Sequence, residues 1–161
     1  MAKKTKKKPK APVGALIARN KRATYDYAID EKLEAGVMLQ GWEVKSLREG
    51  RVQLVDAFVQ LVRMEAWLYG VSITPLVTAS SHNVTDARRP RKLLLHRREL
   101  ARLIGSVERK GYTIVCMSLY WKHGRVKAEI GVGKGKREFD KRATMKDRDW
   151  QRDKARVVRT H

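Results

Sequence analysis

The sequence predicts a mainly β protein: a small closed barrel of the OB-fold type with a few short helices, followed by a basic C-terminal tail. Three observations lead there. Short runs rich in β-branched and aromatic residues recur through the middle of the chain. Helical pattern is confined to two short stretches between them. The charge is heaviest at the two ends, so the segments 1–22, 23–130 and 131–161 read as a basic arm, a barrel and a basic tail.

Taken in order, Tyr25–Ile29 reads as a short strand, Asp30–Ala35 as a short helix ending at Gly36, and Val37–Glu43 as another strand. Phe58–Met64 (FVQLVRM) and Ala66–Ile73 (AWLYGVSI) have the composition of strands. From His96 to Ile104, Leu100, Leu103 and Ile104 share a helical face, and Gly105 stands where a C-terminal cap belongs. Tyr112–Lys122 and Arg125–Val132 read as two strands joined at His123-Gly124, a pair suited to a tight hairpin. Many short strands with few interposed helices suit a small barrel, a common platform for single-stranded or structured RNA. In the tail, Met145, Trp150, Val157 and Val158 fall loosely on one helical face, the pattern of a segment that orders as a helix on a partner.

The chain is 161 residues with a formal charge of +20, which points to a polyanionic partner. Residues 1–22 carry nine cations and no anion, and residues 131–161 carry eleven cations and five anions. Inside the body, Arg88, Arg89, Arg91, Lys92, Arg97, Arg98 and Arg102 stand against Glu99 alone, and outside that window the body has ten cations and eleven anions. The charge therefore sits in two tails and one internal patch. The lysine-rich start is expected to be disordered when free.

Composition excludes several classes. One cysteine, Cys116, allows neither an internal disulfide framework nor a Cys-rich zinc module. The four histidines lack metal-ligand spacing, and no cofactor is implied. No apolar run approaches the roughly 20 residues of a membrane span. The run Ala11–Ala18 after the first lysines is broken by Pro12 and Gly14 and stops at Arg19, which argues against a secretory signal and for a cytoplasmic protein.

Enzyme motifs fail individually. In GVGKGKR (residues 131–137) three residues separate Gly131 from Gly135, where a phosphate loop needs four, and Arg137 replaces the Ser or Thr. There is no G-x-S-x-G elbow and no H-E-x-x-H helix. The nucleic-acid signals are stronger, because clustered Arg and Lys neutralise phosphates while rings and apolar side chains stack on exposed bases. Of Leu93, Leu94 and Leu95, either the outer two face the core and Leu94 a partner, or the reverse, or all three are core. Glu34 is either a surface salt bridge or an acceptor from base or ribose donors. Asn20 is either a turn or cap residue or a base reader.

Residues Asn20-Lys-Arg-Ala with Tyr27, EAGVMLQGWEVKSLREG (34–50), RKLLLHRREL (91–100) and GKREFDKR (135–142) closely resemble small protein B, the SsrA-binding protein family of bacteria. The similarity runs from Leu16 to the C-terminus. It implies a non-enzymatic adaptor of trans-translation, one monomer per RNA. The barrel would hold the tRNA-like domain of transfer-messenger RNA, and the tail would enter the decoding centre and mRNA channel of a stalled ribosome, against small-subunit ribosomal RNA. Elongation factor Tu joins the delivery complex, and no membrane is involved. Carried over by position, the RNA-binding set is Asn20, Lys21, Arg22, Glu34, Arg89, Arg91, Lys92, Leu94 and His96. The decoding-region set is Lys134, Lys136, Arg137, Phe139, Asp140, Lys141, Arg142 and Trp150. Phe139 departs from a common histidine, keeping a π-face for stacking but losing ring-nitrogen hydrogen bonds, and His96 stands where some relatives carry Asn. Without those motifs, a structural protein of the ribosome would explain the barrel, tails and charge equally well.

Overall fold

A computed structural model describes residues 14–77 and 85–159, without the side chains of residues 138–140. The order is β1 (Ala15–Arg19), α1 (Lys21–Asp26), β2 (Tyr27–Val37), α2 (Gly41–Arg48), β3 (Val52–Gln53), β4 (Phe58–Val62), β5 (Glu65–Tyr69), β6 (Ser72–Ile73), β7 (Arg91–Leu94), α3 (Arg97–Lys110), β8 (Thr113–Lys122), β9 (Arg125–Gly135) and α4 (Glu138–Arg159). The main sheet runs β1-β8-β4-β5-β7-β2-β9, and a further β8–β9 pairing closes it into a ring, so the expected mainly β barrel is what the chain forms. Its pairings are antiparallel. Leu68, Leu93, Ile114, Cys116, Ala128 and Ile130 fill the interior together with Leu103 of α3.

The hairpin at His123-Gly124 forms as expected, with φ of 50° and 72°, the left-handed pair that a two-residue turn matched to strand twist requires. Ala66–Ile73 is divided rather than continuous. Gly70 (φ 74°) turns the chain where a Cβ would clash with the Asp56 carbonyl, and β6 leaves the main sheet to pair with β3.

Four further expectations are corrected. Asp30–Ala35 is strand, because Asp30, Lys32 and Glu34 face solvent while Leu33 and Ala35 face inward, and the segment pairs with β9 from Tyr27↔Gly135 to Gly36↔Lys127. Tertiary pairing thus overrides the helix propensity of Glu, Lys, Leu and Ala. The strand expected at Val37–Glu43 ends at Val37; α2 begins at Gly41, its first turn closed by the Gln40 N–H donating to Glu43 Oε1 at 3.1 Å. Tyr25 and Asp26 likewise close α1 instead of opening a strand. Helix α3 runs past Gly105 because Val107 prolongs the apolar face of Leu100 and Leu103, and Gly111 (φ 64°) supplies the left-handed cap.

Domain edges also move. Residues Ala15–Arg22 belong to the body: β1 pairs with β8 (Ala15↔Trp121 to Arg19↔Ser118), and α1 packs Ala23 onto Val115 and Met117. Residues 131–135 complete β9 and so belong to the barrel. The arm's first 13 residues lie outside the described residues. The tail is the helix α4, with residues 145–159 exposed along their whole length. Among the described residues, no helix is long and apolar enough to cross a membrane.

One ionic knot lies in this scaffold. The Glu43 side chain is fully buried and accepts from Arg89 Nε at 2.7 Å and from Arg91 Nε, itself 1% exposed. Arg91 also donates to the carbonyls of Val71 (2.9 Å) and Ala87 (3.1 Å). Glu43→Ala strands a buried guanidinium and is expected to cost about 3–5 kcal/mol, read as a lower urea midpoint. Burial pushes the Cys116 thiol up to about 12, the bond to the Ser118 carbonyl opposing only in part. Its alkylation at pH 8 should therefore await unfolding.

Candidate nucleic-acid interface

The sheet's alternation resolves the three leucines: Leu93 is buried, Leu95 packs on the core, and Leu94 is 53% exposed on the outer face of β7. Leu94 pairs in register with Gly36 of β2. A Cβ on Gly36 would lie 3.1 Å from Leu94 Cβ, so the glycine leaves the space that Leu94 rests over. Glu34, two residues earlier, shares that face, which makes Glu34 and Leu94 diagonal neighbours. His96 follows as the exposed residue before α3, its N–H donating to Glu99 Oε2 at 3.0 Å.

Glu34 is held by partners that its own sequence neighbourhood does not reveal. Both of its oxygens accept from Lys122 Nζ at 3.0 Å, and Tyr120 donates its hydroxyl. Partial burial pushes the Glu34 carboxyl up, but the bonds from Tyr120 and Lys122, with Lys127 nearby, outweigh it and hold it below the ordinary carboxylate range. Tyr120 is raised in turn, by burial first and then by Glu34. The salt-bridge reading of Glu34 is therefore realised, on a carboxylate that still exposes 37% of its side chain. Lys122 and Lys127, separated from Glu34 by about ninety residues, join the face only because β2 and β8 both flank β9.

The other expected residues divide. Arg91 leaves the RNA-facing set, because it is buried and its charge is matched by Glu43; Arg89, with 25% of its side chain exposed, is also turned toward that carboxylate. Lys92 points outward but pairs with Glu65 at 2.9 Å, and Arg102 pairs with Glu31 at 2.6 Å. The guanidinium groups of Arg88, Arg97 and Arg98 form no ion pair among the described residues. Asn20 takes the capping alternative: it is 4% exposed, its Oδ1 accepting from the Ala23 N–H (3.1 Å) and its Nδ2 donating to the Cys116 carbonyl (3.1 Å). Exposed Lys21 and Arg22 stand on α1, and Arg22 pairs with Asp26 at 3.1 Å.

Helix α1 carries the root of the tail rather than the Glu34–Leu94 face. Lys136 donates its backbone N–H to the Asp26 carbonyl (2.7 Å) and its Nζ to the Thr24 carbonyl (3.1 Å). Lys141 pairs with Asp26 at 3.5 Å and lies over the Tyr25 ring, while Tyr25 donates to Met145 Sδ at 3.5 Å. Lys134, at the end of β9, stands 5.5 Å from the centre of the Tyr112 ring. Arg137, Arg142 and Trp150 are exposed; the side chains of Phe139 and Asp140 lie outside the described residues. Thr24, Tyr25 and Asp26 were not legible as the tail's seat, since only α1–α4 packing defines it.

Because its folded pKa is depressed, Glu34 stabilises the fold above its unfolded pKa and loses that contribution as pH falls through the folded value. The thermal-stability gap between the parent and Glu34→Gln should therefore be full near pH 6 and should close on acidification below the ordinary carboxylate range of about 4.3.

Comparison with known proteins agrees with this arrangement. The family model described as SmpB protein matches residues 17–160, which takes in both the barrel and α4. Among solved structures, the chain is similar to one in "tmRNA-SmpB: a journey to the center of the bacterial ribosome", at 44% sequence identity and a TM-score of 0.62, covering 75% of this chain and 85% of that one. With the family match extending over most of the sequence, the chain belongs to the SmpB protein family.

Proposed function

We propose that the protein is a non-enzymatic RNA-binding adaptor of trans-translation. It binds the tRNA-like domain of transfer-messenger RNA and brings it to stalled ribosomes, so that the nascent peptide is tagged for degradation. The observation that carries this reading is the juxtaposition of Glu34, Gly36 and Leu94 on one outer face of a closed barrel, beside Lys122 and Lys127. A leucine held outward over a glycine, flanked by a carboxylate and lysines, can meet a folded RNA by shape, apolar contact and a few phosphate contacts. The similar solved structure, described as tmRNA-SmpB in the bacterial ribosome, supports the same partners.

On this reading α4 is the ribosomal element. Its exposed Trp150 and cations enter a channel walled by small-subunit ribosomal RNA and reach the decoding centre, where Lys134, Lys136, Arg137, Phe139, Asp140, Lys141 and Arg142 form its root. The protein works in the cytoplasm as one monomer per RNA, with elongation factor Tu in the delivery complex.

Truncation after Arg137 spares β9 and should leave affinity for the isolated tRNA-like domain within about twofold, since the exposed cations of α4 contribute mainly screened electrostatics; peptide tagging should be abolished. Loss of RNA binding in this variant would refute the division between barrel and tail. Leu94→Asp should weaken binding in a gel shift by about tenfold, with an unchanged circular-dichroism spectrum, because the residue is exposed. Gly36→Val should mimic it by displacing Leu94, and an unaffected Gly36→Val complex would show that the position of Leu94 is not what the RNA reads.

A further inference from the structure

The outward face of β4 and β5 is unusually apolar for a solvent-facing side of an antiparallel sheet, where alternation normally places polar residues. Phe58 lies opposite Tyr69, their rings stacked at 5.5 Å between centroids and 14° between planes. Trp67 lies opposite Gln60 on one side and Lys92 on the other, and Val62 lies opposite Glu65. Phe58 is 43% and Val62 40% exposed. The core does not require these rings, since Val59, Ala66 and Leu68 supply the inward side.

A shallow depression of about 440 Å³ opens on this face, lined by Val62, Arg63, Glu65, Trp67, Tyr69 and Pro90. Around it stand three cations, Arg63, Lys92 and Arg22, against two carboxylates, Glu65 and Asp56. Arg63 stands at the tip of the β4–β5 hairpin, where Arg63 and Met64 take φ of 49° and 61°, a conformation that Asn-Gly would adopt with less strain. Lys92 borders Trp67, and Arg22 and Asp56 pair at 3.8 Å in the recess that Phe58 helps to line. The rim carboxylates Glu65 and Asp56 are both paired with cations.

We propose that this face is a second RNA contact, a stacking platform for unpaired nucleotides of the same RNA whose folded part rests on the Glu34–Leu94 face. The inference rests on the function proposed above. Two features favour RNA. Stacked rings within a rim of arginine and lysine match the pairing of base faces with phosphates used by single-strand binders. The two faces are also continuous, because Lys92 and Leu94 project from the same side of β7, two residues apart. The Phe58–Tyr69 pair and Trp67 provide two stacking positions, about 6.6 Å apart along the strand.

The test uses the full chain with two labelled probes, a short oligoadenylate and the tRNA-like domain of transfer-messenger RNA. The double variant Phe58→Thr, Trp67→Thr keeps β propensity and removes the rings; it should lose about tenfold in oligoadenylate affinity, while Phe58→Tyr, Trp67→Phe should stay within about twofold of the parent. Glu34→Ala should weaken the tRNA-like domain and leave the oligoadenylate unchanged. Equal oligoadenylate affinity in a folded threonine variant, or its loss in Glu34→Ala, overturns the platform. Should the threonine variant not fold, photocrosslinking of the unaltered protein in complexes with full-length transfer-messenger RNA and ribosomes decides. Crosslinks from residues 58–69 to unpaired nucleotides of that RNA are expected, and crosslinks from this segment only to ribosomal RNA or to protein, or none, overturn it. Failure of oligoadenylate binding alone refutes the platform; failure of both probes refutes the adaptor reading as well.

Discussion

A carboxylate taken wholly out of water must be satisfied by charge and hydrogen bonds, and in this protein Glu43 obtains both from residues that would otherwise belong to an exposed basic patch. Arg91, Arg89 and the Gln40 N–H surround it, and the remaining Arg91 nitrogens close onto the Val71 and Ala87 carbonyls. These bonds join α2, the connection from β5 to β6 and the approach to β7 in one place. Because β7 lies between β5 and β2, they help to fix which way Lys92 and Leu94 point. Desolvating such a group is costly, so its value lies in determining one arrangement more than in raw stability.

That knot also changes what the positive charge means. Of the seven cations between Arg88 and Arg102, two are turned toward Glu43 and two more pair with Glu65 and Glu31 on the barrel surface. The patch is therefore weaker as a bulk electrostatic feature than its composition suggests, and specificity must come from shape and a few placed groups. Glu34 illustrates the point. Lys122 and Tyr120 hold it in position and ionised, so a complementary donor would meet a fixed acceptor without first having to order it.

The strands around the barrel were legible where composition and periodicity agreed, as at Phe58–Val62, Thr113–Lys122 and the His123-Gly124 turn. Asp30–Ala35 was not, because its residues favour helix individually and only the β9 pairing makes the strand preferable. At Gly105 a local stop signal lost to the face that Val107 continues. The patch was legible as charge but not as geometry: nothing near Arg91 in sequence discloses a buried carboxylate 48 positions away. Motif resemblance located Glu34, Leu94 and His96, yet Gly36, Tyr120 and Lys122 enter the site through strand register alone.

Only Lys136 and Arg137 separate the last strand from α4, and Lys136 is fastened to α1 by its own backbone. A helix of 22 residues mounted this way is a lever about 33 Å long, whose far end moves about 6 Å for each 10° of rotation at the root. Small changes in the seat formed by Thr24, Tyr25 and Asp26 are thus magnified at Trp150 and beyond. The reach of the tail is set at its base, by three residues of a short helix, as much as by its own sequence.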